Sequence, residues 1–135
     1  MRAVLDPNVI ISALLAPAGT PAAIVRAWSA GAFELVASPL LLAELERALA
    51  YPKLRTRIHE DEATAVVGWL RRSATIVQDP DEPAPRASED PGDDYLIALA
   101  AHERAALVSG DRHLLELGAE LPIYGPADFL SVLDR

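Results

Sequence analysis

The opening stretch Met1–Leu15, MRAVLDPNVIISALL, decides the fold class. An apolar run ends in Asp6, and after Pro7 and Asn8 a second apolar run begins. A surface loop would explain the charge but not its neighbours. A buried strand over residues 2–6 followed by a helix explains both, because ligands of open parallel sheets bind outside the carboxyl ends of the strands. The stretch therefore predicts an α/β protein with a functional site at Asp6.

Length and composition agree with one globular domain over residues 1–135. The chain is 51% hydrophobic but only 5% aromatic, so its core is built from Ala, Leu, Val and Ile. The absence of cysteine excludes disulfides, thiolate nucleophiles and cysteine-based zinc sites. The N-terminus lacks the layout of a signal peptide, and no apolar run reaches the roughly 18 residues of a membrane span. We therefore expect a cytoplasmic protein that does not cross a membrane.

The net charge of −8 is unevenly distributed. The segment 79–94 carries seven acids against Arg86, a charge of −6, and leaves −2 for the rest of the chain. The overall acidity therefore does not exclude a nucleic-acid partner, although it argues against one at first sight. The part 79–92, DPDEPAPRASEDPG, has four prolines and no periodicity and is expected to be a long loop. Loops of this length in compact domains are often functional.

Strand and helix patterns alternate along the whole chain. Helix starts are predicted at Thr20 and Ser38, each followed by proline, and helix ends at Gly31 and before Pro52. Further strands are predicted in FELVAS, SATIVQ, AALVSG and LPIYG. This alternation favours a mostly parallel sheet of about five strands with helices on both faces.

Four acids are expected at one edge of this sheet. Asp6 ends the first strand, Asp111 follows the fourth, Asp94 opens the helix that leads into the fourth, and Glu44 lies on the helix after the second. Two carboxylates about 4 Å apart repel by roughly 4 kcal/mol at an effective dielectric near 20, so the cluster requires a cation. Ligands that offer only oxygen select Mg²⁺ or Mn²⁺.

Three neighbours of these acids are expected to support them. Asn8 and Ser109 are polar groups that can hold a carboxylate or a metal-bound water through hydrogen bonds. Asp93 can cap the helix beginning at Asp94 or join the metal shell.

Metal-assisted hydrolysis of a phosphodiester fits this arrangement, with a metal-activated water as the nucleophile. Two alternatives remain open. Asp6 could be the nucleophile of a phosphohydrolase, although that chemistry favours an Asp two residues later and a well-placed Lys, whereas position 8 is Asn and Lys53 is the only lysine. The acids could also bind Mg²⁺ in a non-catalytic regulatory or scaffold domain.

Several segments in this order and spacing resemble the PIN-domain family. They are VLDPNVIISALL, the Glu of SPLLLAELERAL, DDYLIALAAHERAALVSGD and RHLL. More narrowly, they resemble the VapC-like toxins of toxin–antitoxin pairs. The resemblance implies a three-layer α/β/α sandwich and a Mg²⁺- or Mn²⁺-dependent endoribonuclease. It also implies a homodimer and a cognate antitoxin that blocks the site.

Carried over position by position, the resemblance assigns the acidic quartet to Asp6, Glu44, Asp94 and Asp111. Asn8 and Ser109 match supporting polar positions. Ser109 stands where relatives often have Thr, which keeps the hydroxyl. Pro7 stands where a small or hydroxylated residue is common, and its fixed φ affects the placing of Asp6.

Overall fold

The structure, a computed structural model, describes all 135 residues. The strands are Arg2–Leu5 (β1), Glu34–Ala37 (β2), Thr75–Ile76 (β3), Ala106–Val108 (β4) and Ile123–Tyr124 (β5). The helices are Pro7–Leu15 (α1), Thr20–Ser29 (α2), Pro39–Leu49 (α3), Pro52–Arg55 (α4), Glu60–Ser73 (α5), Asp94–His102 (α6), Arg112–Leu115 (α7) and Pro126–Leu133 (α8). Short 3₁₀ turns occupy Pro91–Asp93 and Glu116–Ala119.

The five strands form one sheet in the order β3-β2-β1-β4-β5, and every pairing is parallel. The central strand β1 pairs with β2 and, about a hundred residues later in the chain, with β4. The prediction of an α/β fold with a parallel five-stranded sheet is thereby confirmed. Because the strands are parallel, their carboxyl ends share one edge, the carboxyl edge, and their starts share the opposite one, the amino edge.

Helices cover both faces of the sheet, and the core is correspondingly divided. Alternation along β1 sends Ala3 and Leu5 into one buried cluster and Val4 into the other. The first cluster contains the few aromatics, among them Trp28 and Phe129. The second packs α6 against the strands with aliphatic residues only. Because both faces of β1 are buried, its residues Ala3, Val4 and Leu5 are apolar without alternation.

The helix ends mostly follow the sequence signals. The Ser38 hydroxyl accepts the Leu41 N–H at the start of α3, as expected of an N-cap. Gly31 ends α2 with a φ of +86°, a conformation that glycine adopts without strain. The N-cap of α2 is Gly19 rather than Thr20, which already lies inside the helix. Pro52 does not merely stop α3: it opens the short helix α4, since proline fits a first helical position.

The acidic loop 77–90 is held in place by side chains. Arg86 forms a two-point ion pair with Glu120, whose second contact is 2.6 Å long. The Asp79 carboxylate accepts the Leu40 N–H at the N-terminus of α3 at 3.0 Å. The loop is therefore attached to the N-terminus of α3 at the carboxyl edge and to the segment that leads into β5, toward the amino edge.

Only α1 and α2 taken together have the length and composition for a membrane crossing, and a bend of 103° separates them; no individual helix has both.

Candidate active site

Asp6 is buried at the carboxyl edge, where β1 gives way to α1. It is 4% exposed and occupies the N-cap position of α1. Its Oδ1 accepts the Asn8 backbone N–H at 3.0 Å, and its Oδ2 accepts the Ser109 hydroxyl at 2.8 Å. Both oxygens are therefore held before any ligand arrives. Asn8 contributes here through its backbone, and its side chain is exposed.

Ser109 connects the ends of β1 and β4. Its fully buried hydroxyl donates to Asp6 and accepts the Asp111 backbone N–H at 3.0 Å. Asp111 in turn caps α7, where its Oδ1 accepts the His113 N–H at 2.8 Å. The supporting role predicted for Ser109 thus has a concrete basis: one hydroxyl fixes the positions of two acids.

The adjacent acids Asp93 and Asp94 point to different places. The Asp93 carboxyl faces that of Asp111, and their proximity contributes to the raised pKa of Asp93. The Asp94 carboxylate instead accepts the backbone N–H and the hydroxyl of Ser88, at 2.8 and 3.1 Å. The structure therefore brings Asp6, Asp93 and Asp111 together, while Asp94 holds the acidic loop.

We call Asp6, Asp93 and Asp111 the triad, and their surroundings disfavour three simultaneous negative charges. Burial raises the pKa of Asp6, and the hydrogen bonds from Asn8 and Ser109 only partly oppose this. Burial raises the pKa of Asp93 to about 7, with further contributions from the proximity of Asp111 and from the charge of Asp6. Asp93 is therefore partly protonated around neutral pH when no cation is bound.

Glu44 lies near Tyr95, which also lies near Asp6 and Asp93. Its carboxylate accepts from Arg47 at 2.7 Å on the surface of α3. Tyr95 is partly buried, and its pKa is raised by that burial and then by the charges of Asp6, Glu44 and Asp93. Sequence reasoning did not single out Tyr95, although its place directly after two acids at a helix start was a signal.

The donor set of the triad fits a hard divalent cation. Neither arginine nor lysine forms an ion pair with Asp6, Asp93 or Asp111. A cation is the remaining way to offset their charge, and Mg²⁺ or Mn²⁺ is the class that carboxylate oxygens select. Two of the acids already accept backbone N–H groups, so only part of each carboxylate is free for a metal.

A surface depression of about 320 Å³ adjoins the triad. It is lined by Asn8 and Ser12 of α1, by Gly110 and Asp111 after β4, and by Pro126 of α8. Gly110 has open space around its Cα, so the backbone there is accessible. Of the three acids, Asp111 is the one that an extended substrate reaches from this side.

A second group of possible metal ligands lies nearby on the surface. The ligand atoms of Glu89, His113 and Glu116 are within 4.8 Å of one another. His113 Nδ1 is 2.8 Å from Glu89 Oε2, so the two side chains already pair with each other. Sequence reasoning missed this group because Glu89 comes from the acidic loop.

A sequence model of the PIN domain matches residues 2–113. The uncharacterised protein MJ1680 of Methanocaldococcus jannaschii is 27% identical to this chain over 120 residues, which cover 89% of this chain and 77% of that protein.

Two solved structures share the fold. PAE2754 of Pyrobaculum aerophilum superposes with a TM-score of 0.65 at 16% identity, covering 99% of this chain and 90% of that one. VapBC2 of Rickettsia felis, solved bound to a DNA fragment from its promoter, gives 0.63 at 13% identity, covering 93% and 98%.

The parallel sheet and the carboxylates gathered at its carboxyl edge define an α/β protein with a candidate metal site at that edge. Among such proteins, this chain belongs to the PIN domain family, because the family model covers most of its length.

Proposed function

We propose that this protein is a metal-dependent endoribonuclease and the toxin of a toxin–antitoxin pair. The observation that carries the proposal is the gathering of Asp6, Asp93 and Asp111 at the carboxyl edge, where Ser109 joins two of them and none forms an ion pair with arginine or lysine. Membership of the PIN domain family and the shared fold with a VapBC structure support the same conclusion.

In this proposal Asp6, Asp93 and Asp111 hold Mg²⁺ or Mn²⁺, and Glu44 completes the site from α3. Asp93 takes the role that the sequence assigned to Asp94, because the Asp94 carboxylate is engaged by Ser88. The bound ion would lower the pKa of a water and offset charge on the phosphodiester.

The chain's own residues orient the reaction. Ser109 and the Asn8 N–H keep Asp6 in one rotamer, so little reorganisation is needed when substrate arrives. The depression beside Asp111 gives the RNA strand a place to lie. The N-terminus of α1 faces the same region and favours negative charge.

Two features argue against a phosphohydrolase with Asp6 as nucleophile. Both carboxylate oxygens of Asp6 accept hydrogen bonds from the protein. Lys53, the only lysine, is exposed on α4, outside the carboxylate cluster.

Three partners complete the proposal. The substrate is RNA, the inhibitor is a cognate antitoxin that covers the site, and the chain works as a cytoplasmic homodimer. Light scattering of the purified protein tests the dimer. Co-expression with the small protein encoded beside it tests the antitoxin, which is expected to abolish RNA cleavage.

The decisive experiment uses the neighbouring acids as a matched pair. Labelled RNA is incubated with the wild type, Asp93→Asn and Asp94→Asn, each with Mn²⁺ and with EDTA. We expect metal-dependent cleavage that falls about 100-fold in Asp93→Asn and only severalfold in Asp94→Asn. Metal binding without RNA cleavage by the wild type would favour a scaffold domain, and equal losses in both variants would contradict the assignment of Asp93.

A further inference from the structure

A largely apolar cavity of about 590 Å³ opens at the amino edge of the sheet, at the end opposite the triad. Its lining comes from the second half of α6, the start of β4 and β5, and the N-terminal residues, and ten of its 13 residues are hydrophobic. Ligand sites of small molecules are concave, mostly apolar and of about 300–1,000 Å³, with a few polar groups that fix orientation. The cavity has this size and this character.

Apart from the phenol of Tyr124, the polar groups around the cavity are cationic. Met1 with its α-ammonium, Arg2 and Arg104 are among the lining residues, and no acid is. Arg2 is engaged, because it forms ion pairs with Glu34 at 3.1 Å and with Glu103 at 3.2 Å. Arg104 forms neither an ion pair nor a side-chain hydrogen bond, which leaves an unpaired guanidinium beside an apolar cavity in a chain of net charge −8.

The backbone of Arg104 gives a second, independent observation. Arg104 has a φ of +52° and is the only non-glycine residue with positive φ. It ends α6 in a Schellman motif, in which the Ala105 N–H bonds to Ala100 at 2.9 Å and the Arg104 N–H to Ala101 at 3.2 Å. The same motif ends α2, where the corresponding residue is Gly31. A side chain at this position is strained, so the arginine needs a reason other than the turn.

We infer that this cavity binds a small amphiphilic carboxylate, with its apolar body in the cavity and its carboxylate on Arg104. Charge complementarity selects the anion, and the aliphatic lining, including Ile97, Leu107 and Ile123, selects the apolar body. Alanines at positions 100, 101, 105 and 106 keep the space open. The inference does not depend on the proposed nuclease activity.

The test titrates the full-length protein with three probes of equal chain length and different charge: octanoate, 1-octanol and octylammonium. Amide chemical shifts report where each probe binds. We expect saturable shifts at Ala100, Ala105 and Ile123 with octanoate, weaker binding by about three- to tenfold with octanol, and the weakest binding with octylammonium. Octylammonium binding as tightly as octanoate, or no saturable shift at these amides, would overturn the inference.

Variants distinguish the contribution of the Arg104 charge to octanoate binding from the contribution of the cavity's shape. Arg104→Gly removes the guanidinium and relieves the positive φ, so we expect a higher melting temperature together with octanoate binding as weak as that of octanol. Arg104→Lys keeps the charge and should retain most of the preference for octanoate. Arg57→Gly removes an exposed cation elsewhere and is the matched control. Unchanged octanoate affinity in Arg104→Gly would contradict the role of Arg104.

Ala101→Trp is designed to fill the cavity from α6, with Ala65→Trp on α5 as its control, since both alanines are exposed. We expect the first to abolish the binding of octanoate and octanol alike, and the second to leave both unchanged. If Ala101→Trp does not fold, the three-probe comparison on the unaltered protein and Arg104→Gly decide the question.

Discussion

The carboxyl edge of the sheet gathers carboxylates, whereas the amino edge presents an apolar cavity with a cationic rim. Helix direction accounts for part of this contrast. The helices α1, α6 and α7 all begin at the carboxyl edge, where Asp6, Asp93 and Asp111 occupy their N-cap positions. At the other end, Arg104 follows the C-terminus of α6, where a cation is favoured.

The contrast has one more component, which is hydrogen bonding. Asp6 and Asp111 each accept a backbone N–H as capping residues, but Asp93 makes no capping bond and faces Asp111. Capping alone therefore explains two of the three acids. The position of the third, Asp93, is not explained by capping.

Asp6→Asn tests the carboxyl edge with the largest expected effect. The variant keeps the volume and an N-cap side chain but removes a charge that faces the proposed metal. We expect metal-dependent RNA cleavage to fall by at least about 100-fold. The melting temperature without metal should stay the same or rise, since burial disfavours the charged form of Asp6. Asp134→Asn, a change to an exposed acid near the C-terminus, is the control, and equal activity in the two variants would remove the basis for the site.

Ser109→Ala removes the hydroxyl that joins two acids. It leaves Asp6 Oδ2 and the Asp111 N–H without their buried partner, at a cost of about 1–3 kcal/mol in the free energy of unfolding. Urea denaturation measures this loss, and cleavage is expected to fall about tenfold. Ser109→Thr retains the hydroxyl and should recover most of both quantities. A threonine variant as impaired as the alanine variant would show that packing, not hydrogen bonding, is the role of Ser109.

The raised pKa of Asp93 predicts how stability depends on pH. Because the pKa is about 7 in the folded protein and near 4 in an unfolded chain, protonation stabilises the fold below pH 4, and this contribution is lost as the pH rises through 7. Without metal, the protein should therefore lose on the order of 1 kcal/mol between pH 5 and pH 8, after allowance for solvent screening.

Thermal unfolding at the two pH values measures this loss. Asp93→Asn should reduce the pH dependence, and Mn²⁺ should raise the melting temperature more at pH 8 than at pH 5. If Mn²⁺ raised the melting temperature equally at both pH values, this would show that Asp93 does not bind the metal.

The two Schellman motifs give the smallest and most direct comparison. Arg104→Gly should raise the free energy of unfolding by about 0.5–1 kcal/mol, while Gly31→Ala should lower it by about 1 kcal/mol, because both positions have positive φ. No atom lies within 4 Å of a Cβ built on Gly31, so backbone strain alone accounts for the loss there. Destabilisation by Arg104→Gly would mean that the arginine has a structural role.

The sequence predicted the fold well because its signals are local. Apolar strands, proline at helix starts and acids after strands are all local features of the sequence, and so Asp6, Ser109 and Asp111 were correctly placed at the carboxyl edge. Their roles in metal binding and catalysis stay predictions. The sequence predicted Asp94 as a metal ligand and Asp93 as its support, and that assignment stays a prediction. Adjacent residues at a helix start point in different directions, and the 3₁₀ turn Pro91–Asp93 decides which of them faces Asp111. The left-handed backbone at position 104 was not predicted, because the residue there is arginine and not the glycine that usually marks this conformation.

The position of β1 in the middle of the sheet has a consequence for synthesis of the chain. Asp6 emerges from the ribosome among the first residues, yet its strand partner β4 and its neighbours Asp93 and Asp111 emerge among the last. A nascent chain that has reached only α5 has half of the central pairing and one member of the triad. The carboxylates can therefore act only after most of the chain has been synthesised. The time needed to translate these later segments separates the appearance of Asp6 from the completion of the site.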